Sequence, residues 1–225
     1  NAEPATRQRY LSRMLGDPVR AVRTEAARAL AGPAEPLLSE AERAPFTRTL
    51  AEYVAVQTYN ADRPEGRMNL GNLYVQRGDA GGAIAEYRKA AALDPTFVPA
   101  YANLADLYRA RGADSEAEAV LREGLVRNPR AAVLHHALGL ALVRQKQASD
   151  GMKALRTATQ LAPESGRFAY VYAVALNDAG QTREALQVLA AALKRDPYDR
   201  DILSGLAYFT AQAGNRELAL GYVRQ

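Results

Sequence analysis

Few side chains in this 225-residue chain are equipped for chemistry. It has no cysteine, which removes thiol nucleophiles, disulfides, zinc–thiolate sites and iron–sulfur centres. The only two histidines, His135 and His136, are adjacent. On a helix such neighbours diverge by about 100°, so they cannot chelate one ion. A second ligand would stand three or four residues further on, where the chain has Gly139 and Leu140. The run Gly78-Asp-Ala-Gly-Gly82 has the glycines of a phosphate loop without its Gly-Lys-Ser/Thr ending, and reads as a turn. No pattern among Asp and Glu selects a carboxylate pair. No catalytic residue, metal or cofactor is therefore expected.

What remains is a set of amides. Asn69, Asn72 and Asn103 fall in apolar-periodic segments, and Asn69 and Asn103 stand 34 residues apart. Asparagine in a helix interior costs about half a kcal/mol relative to alanine, so its repetition invites a function. An amide can donate to a peptide carbonyl and accept from an N–H, and so hold an extended backbone without reading its side chains. Alanine at Asn72 and Asn103 is expected to weaken such binding while leaving folding untouched.

The elements that position these amides follow from one period. Pro95, Pro129, Pro163 and Pro197 are spaced by 34, as are Gly78, Gly112, Gly180 and Gly214, with Lys146 in the vacant glycine slot. Small residues recur at Gly71, Ala105, Gly139, Ala173 and Ala207, and again at Ala83, Ala117, Gly151, Ala185 and Ala219. A bulky slot holds Tyr87, Leu121, Leu155 and Leu189. Each unit reads as two helices joined at the glycine, which can take the left-handed conformation, and closed by a proline. Neither helix can bury its apolar stripe alone, so neighbouring pairs must stack.

These columns resemble the tetratricopeptide repeat, over 64–97, 98–131, 132–165, 166–199 and a partial unit at 200–225. The resemblance implies an all-α, right-handed α-solenoid whose first helices line a concave wall. The bulky aromatic that the family places early in the first helix is met by Tyr101 alone, with Arg67, His135, Ala169 and Leu203 in its slot. On the concave wall the register puts Asn69, Asn72, Gln76, Asn103 and Asp106, then Arg109, His136, Arg144 and Tyr170. His135 is expected to pack and His136 to face the groove. The amides are similar to the asparagine ladder of O-linked N-acetylglucosamine transferase. They partly resemble the carboxylate clamp of chaperone-binding repeats, although Val133 and Ala137 stand where that clamp needs cations. The implied function is a non-enzymatic scaffold that binds an extended peptide or protein segment in the groove.

Residues 3–31 read as two short helices broken at Gly16-Asp17-Pro18, and 17–30 resembles the second half of a HEAT repeat. The expected division is 1–32 for this pair, 33–63 for a linker and connecting helix, and 64–225 for the array. Ser39 with Glu42 has capping-box spacing for a helix running to about Tyr59, and Asp62 with Glu65 repeats that spacing. The order of segments is similar to the C-terminal region of bacterial multihaem cytochrome c-type proteins, which implies the rival reading of an accessory packing module. No Cys-x-x-Cys-His is present for covalent haem. That family would imply the periplasm, and a repeat scaffold otherwise the cytoplasm. A start at Asn1, without Met or a leader pattern, fits a processed or excised chain.

Charge narrows the partners. The net formal charge is +4, and the bases are nearly all arginine, interleaved with acids as in Glu25–Arg28 and Glu118–Arg122. That is the pattern of solvated helix faces with local pairs, so a nucleic-acid partner is not expected. No apolar run reaches the length of a membrane span. The unit at 200–225 leaves an open interface, so its last helix is expected to fray or to pack against another copy. Lys146, held left-handed, and Gly151, costing about 1 kcal/mol against alanine, should make 145–152 the weakest turn.

Overall fold

The computed structural model describes residues 3–225 and is all-α. Its two compact units are Asn1–Leu107 and Tyr108–Gln225. The first holds α1 (Pro4–Leu11), α2 (Arg20–Leu30), α3 (Glu40–Tyr59), α4 (Pro64–Gln76), α5 (Ala80–Leu93) and most of α6 (Val98–Ala110). The second holds the end of α6, then α7 (Asp114–Arg127), α8 (Ala132–Arg144), α9 (Ala148–Leu161), α10 (Gly166–Asp178), α11 (Thr182–Leu193), α12 (Arg200–Gln212) and α13 (Arg216–Arg224). Within each unit, helix pairs stack through their apolar faces, the packing of an α-solenoid. No helix among the described residues is long and apolar enough to cross a membrane.

Five turns share one backbone device. Gly78, Gly112, Gly180 and Gly214 have φ of 79°, 72°, 79° and 88°, and Lys146 joins them at 63°. The next N–H reaches back five residues in each: Asp79 to Tyr74 O, Ala113 to Tyr108 O, Gln147 to Leu142 O and Gln181 to Leu176 O at 2.9 Å, and Asn215 to Thr210 O at 3.1 Å. This satisfies carbonyls that the helix end would otherwise strand. The expected lysine substitution is therefore accommodated in the glycine geometry. The helix that follows Lys146 also lacks a side-chain cap, whereas Asp79 and Asn215 cap theirs by accepting from Gly82 N and Leu218 N.

Gly151 corrects one expectation. A Cβ there would lie 2.8 Å from Val143 Cγ2 and 3.0 Å from the Gly139 carbonyl. The backbones of α8 and α9 meet at these two glycines, so the missing methyl is what lets them approach. The helical penalty of Gly151 is offset by packing that alanine could not make.

A second column is unified by its hydrogen bonds. Arg67 Nε donates to Ala61 O at 2.9 Å, and Tyr101 Oη to Pro95 O at 3.2 Å. His135 Nε2 lies 2.9 Å from Pro129 O, so that nitrogen carries the proton. These three residues are spaced by 34 and each reaches the carbonyl six positions earlier. The slot asks for a donor at the start of the first helix, and three different side chains supply it.

In the first unit the core gathers Leu15, Leu30, Phe46, Leu50, Tyr53 and Leu73, so the N-terminal helices and α4 share one apolar centre. Buried Thr49 Oγ1 donates to Leu15 O at 3.2 Å. At Gly32, with φ 84°, any Cβ would collide with the Gln76 carbonyl, which holds the turn against the end of α4. Helix α3 begins after Ser39, whose N–H donates to Glu42 at 2.8 Å, and it ends at Tyr59. Hydrogen bonds from Ser12 and from the Ser39 N–H and hydroxyl hold the Glu42 carboxyl at about 2. The analogous box at Asp62 and Glu65 does not form. The cap of α4 is Arg63, without a side-chain bond, and Pro64 starts the helix with its fixed φ. In the second unit the core runs through Leu155, Tyr172, Leu176, Leu189, Ile202 and Phe209.

Candidate binding surface

The first helices of the first unit carry five of the nine expected binding residues, and the structure draws two of them together. Asn103 Nδ2 on α6 donates to Asn72 Oδ1 on α4 at 3.2 Å. The same oxygen accepts from the Tyr87 hydroxyl of α5 at 2.7 Å. Two donors on one acceptor fix the orientation of the Asn72 amide. These bonds leave Asn72 Nδ2 and Asn103 Oδ1 uncommitted, a donor beside an acceptor. Both asparagines are half-buried.

Tyr87 fills the bulky slot of its repeat and adds a polar atom to it. Its ring lies on Gly71, where a Cβ would meet Cε1 at 2.5 Å, and its side chain is buried. Burial pushes its hydroxyl up to about 12, so it stays protonated and donates. A signal was present in the sequence, since this slot is leucine in the next three units. The expectation that Asn72 can be removed without cost is therefore corrected: its loss takes the 2.7 Å acceptor from a buried phenol and leaves it Asn103 alone.

The other three disperse. Asn69 Nδ2 donates to Gln57 Oε1 on α3 at 3.0 Å. Gln76 Oε1 is buried and unpartnered, and Asp106 is exposed on α6. Nearby, Arg67 Nη1 and Lys89 Nζ bind Glu86 at 3.0 and 2.7 Å. Burial pushes the Glu86 carboxyl up, but the hydrogen bonds and charges of Lys89 and Arg67 outweigh it and hold it below its ordinary range.

In the second unit Arg109 is exposed on the last turn of α6. Arg144 binds Asp114 of α7 at 2.8 Å, and Gln145 beside it reaches Glu118 at 2.9 Å. Tyr170 is half-buried against the α10–α12 core. His136 reverses the expected assignment of the two histidines: it is 4% exposed, stacked on Phe168 with ring centroids 4.4 Å apart. Neither of its nitrogens has a partner, and burial, reinforced by the Arg167 charge, lowers it to about 4. It is His135 that makes a polar contact. No group of three or more His, Asp or Glu side chains among the described residues is placed to hold a metal.

Comparison with known proteins bears on the repeats. A family model described as "TPR repeat" matches residues 71–112, and one described as "Tetratricopeptide repeat" matches 142–207. No curated protein matches the sequence. Among solved structures, MamA is similar at 21% identity and TM-score 0.60, covering 69% of this chain and 91% of its own. The pilF protein of Pseudomonas aeruginosa is similar at 23% identity and TM-score 0.61, over 71% and 72% of the two chains. YrrB, described as a TPR protein with an unusual peptide-binding site, is similar at 25% identity and TM-score 0.56, over 76% and 88%. On these matches, and on five turns of one geometry spaced by 34, the chain carries tetratricopeptide repeats.

Proposed function

We propose that the chain is a non-enzymatic protein-interaction scaffold, and that an extended peptide segment binds across α4 and α6 of the first unit. The observation that carries this reading is the Asn72–Asn103 pair. Its uncommitted amide N–H and carbonyl oxygen are the complement of a peptide unit's C=O and N–H. Because Tyr87 donates into Asn72, the pair is pre-oriented and little entropy is lost when a backbone arrives. The similarity to YrrB, whose description includes a peptide-binding site, supports the same class of ligand. Asp106, exposed one turn along α6 from Asn103, supplies a charge that would select among peptides.

The test starts from peptides selected against the whole chain from a displayed random library. Each is titrated against Asn103→Ala and against Asn72→Ala/Tyr87→Leu, in which both partners of the internal bond are removed together. Each lost amide contact is worth about 0.5–1.5 kcal/mol, so affinity should fall roughly two- to tenfold per amide. Ala85→Gln, on the exposed side of α5, is the control. Equal affinities for all these proteins would move the ligand off α4 and α6.

A further inference from the structure

The bond that draws Asn69 away from Asn72 repeats the Asn72–Asn103 pair one step earlier in the chain. Asn69 and Asn103, 34 residues apart, each donate through Nδ2 to an amide oxygen on an earlier helix. For Asn103 the acceptor is Asn72 Oδ1 of α4, at 3.2 Å. For Asn69 it is Gln57 Oε1 of α3, at 3.0 Å. Gln57 and Asn69 are both half-buried, so their amides keep contact with solvent. The bond fixes both amides and leaves Gln57 Nε2 to donate and Asn69 Oδ1 to accept. Both residues precede the stretch 71–112 that the first family model matches, and Gln57 stands on a helix outside the 34-residue register.

The spacing of the two pairs fits one kind of occupant. Asn69 and Asn72 are one turn apart on α4, with Cβ atoms about 5–6 Å from each other. In an extended strand the N–H and C=O groups of one edge recur at every second residue, about 6.6–6.8 Å apart. A helical ligand has spent these groups within itself. We infer, resting on the role proposed for Asn72 and Asn103, that Gln57 and Asn69 are a second backbone-holding pair. The ligand is then an extended segment gripped at residues i and i+2. Proline is excluded at those two residues, where it would remove the N–H, and tolerated at the one between them. Helix α3 thereby becomes part of the binding site.

The probe is a library-selected peptide whose affinity for the whole chain falls with Asn103→Ala. Each of its backbone nitrogens is methylated in turn. Affinity should fall about tenfold or more at two positions separated by one tolerant residue. Gln57→Ala/Asn69→Ala, which removes both partners of the bond together, should weaken the unmodified peptide roughly two- to tenfold per amide. That variant is first shown to unfold at the wild-type midpoint. Where it does not, the methylation series on the unaltered chain decides alone. A single sensitive nitrogen, or two that are not i and i+2, overturns the inference. So does wild-type affinity in a double variant that folds normally, and Asn72 and Asn103 then hold their peptide without a second pair. If no selected peptide responds to Asn103→Ala, both readings fall together.

Discussion

The Tyr87 hydroxyl lies 2.7 Å from Asn72 Oδ1, joining the second helix of one repeat to the half-buried amide of its first helix. A side chain that is leucine in the next three units has become a hydrogen-bond donor. Its ring occupies the space that Gly71 leaves open. The pair therefore links packing to the candidate site. Asn72→Ala should destabilise the chain by about 0.5–1.5 kcal/mol, because the buried phenol loses its 2.7 Å acceptor and keeps only Asn103 beside it. Adding Tyr87→Leu should recover most of that loss. Urea unfolding of the two single variants and the double variant measures the coupling. Additive losses would show that the bond contributes nothing to the fold.

Lys146 adopts the φ that glycine adopts in the four equivalent turns. A non-glycine residue there costs roughly 1 kcal/mol. Lys146→Gly should raise stability by about 0.5–1 kcal/mol, less whatever backbone entropy glycine adds to the unfolded chain. Hydrogen exchange should slow at Gln147 N–H, which bonds Leu142 O. An unchanged or lower midpoint would mean that the lysine side chain offsets its own strain.

Gly151→Ala should act the other way, despite the better helix propensity of alanine. The added methyl meets Val143 and the Gly139 carbonyl, and α8 and α9 must separate to admit it. A loss of about 1–3 kcal/mol is expected in thermal or denaturant unfolding. A gain near 1 kcal/mol would be the propensity effect alone and would show the crossing to be loose.

His136 makes stability fall with acid. The unfolded imidazole takes up a proton near pH 6.5, whereas the buried one stays neutral down to about 4. Its contribution is complete above 6.5 and is lost as pH drops through that window, by on the order of 2 kcal/mol. Glu86, held below 4.5 by Lys89 and Arg67, adds its own loss only under more acidic conditions. His136→Leu should flatten the stability profile between pH 7 and 4.5 without lowering stability at pH 7, since neither ring nitrogen has a partner to lose. An unchanged slope would place the acid sensitivity elsewhere.

The repeat was legible in the sequence because its determinants are local. Gly78 and its equivalents terminate helices through bonds spanning five residues, so the turn at Lys146 could be anticipated from spacing alone. The Ser39–Glu42 box and the end of α3 at Tyr59 follow from the same short-range chemistry. Short range was also where the pattern misled: Asp62 and Glu65 match the box, yet Arg63-Pro64 starts α4 because proline fixes φ one residue later. Tertiary packing decided the rest. Which of two adjacent histidines is buried depends on Phe168, brought against His136 only when α10 stacks beside α8. The need for Gly151 appears only when the Gly139 backbone arrives opposite it, and Asn72 is committed only when Tyr87 reaches across the pair. A 34-residue period assigns each residue to a helix and a face. It does not say which neighbour fills the space beside it, and burial and hydrogen bonding are set by that neighbour.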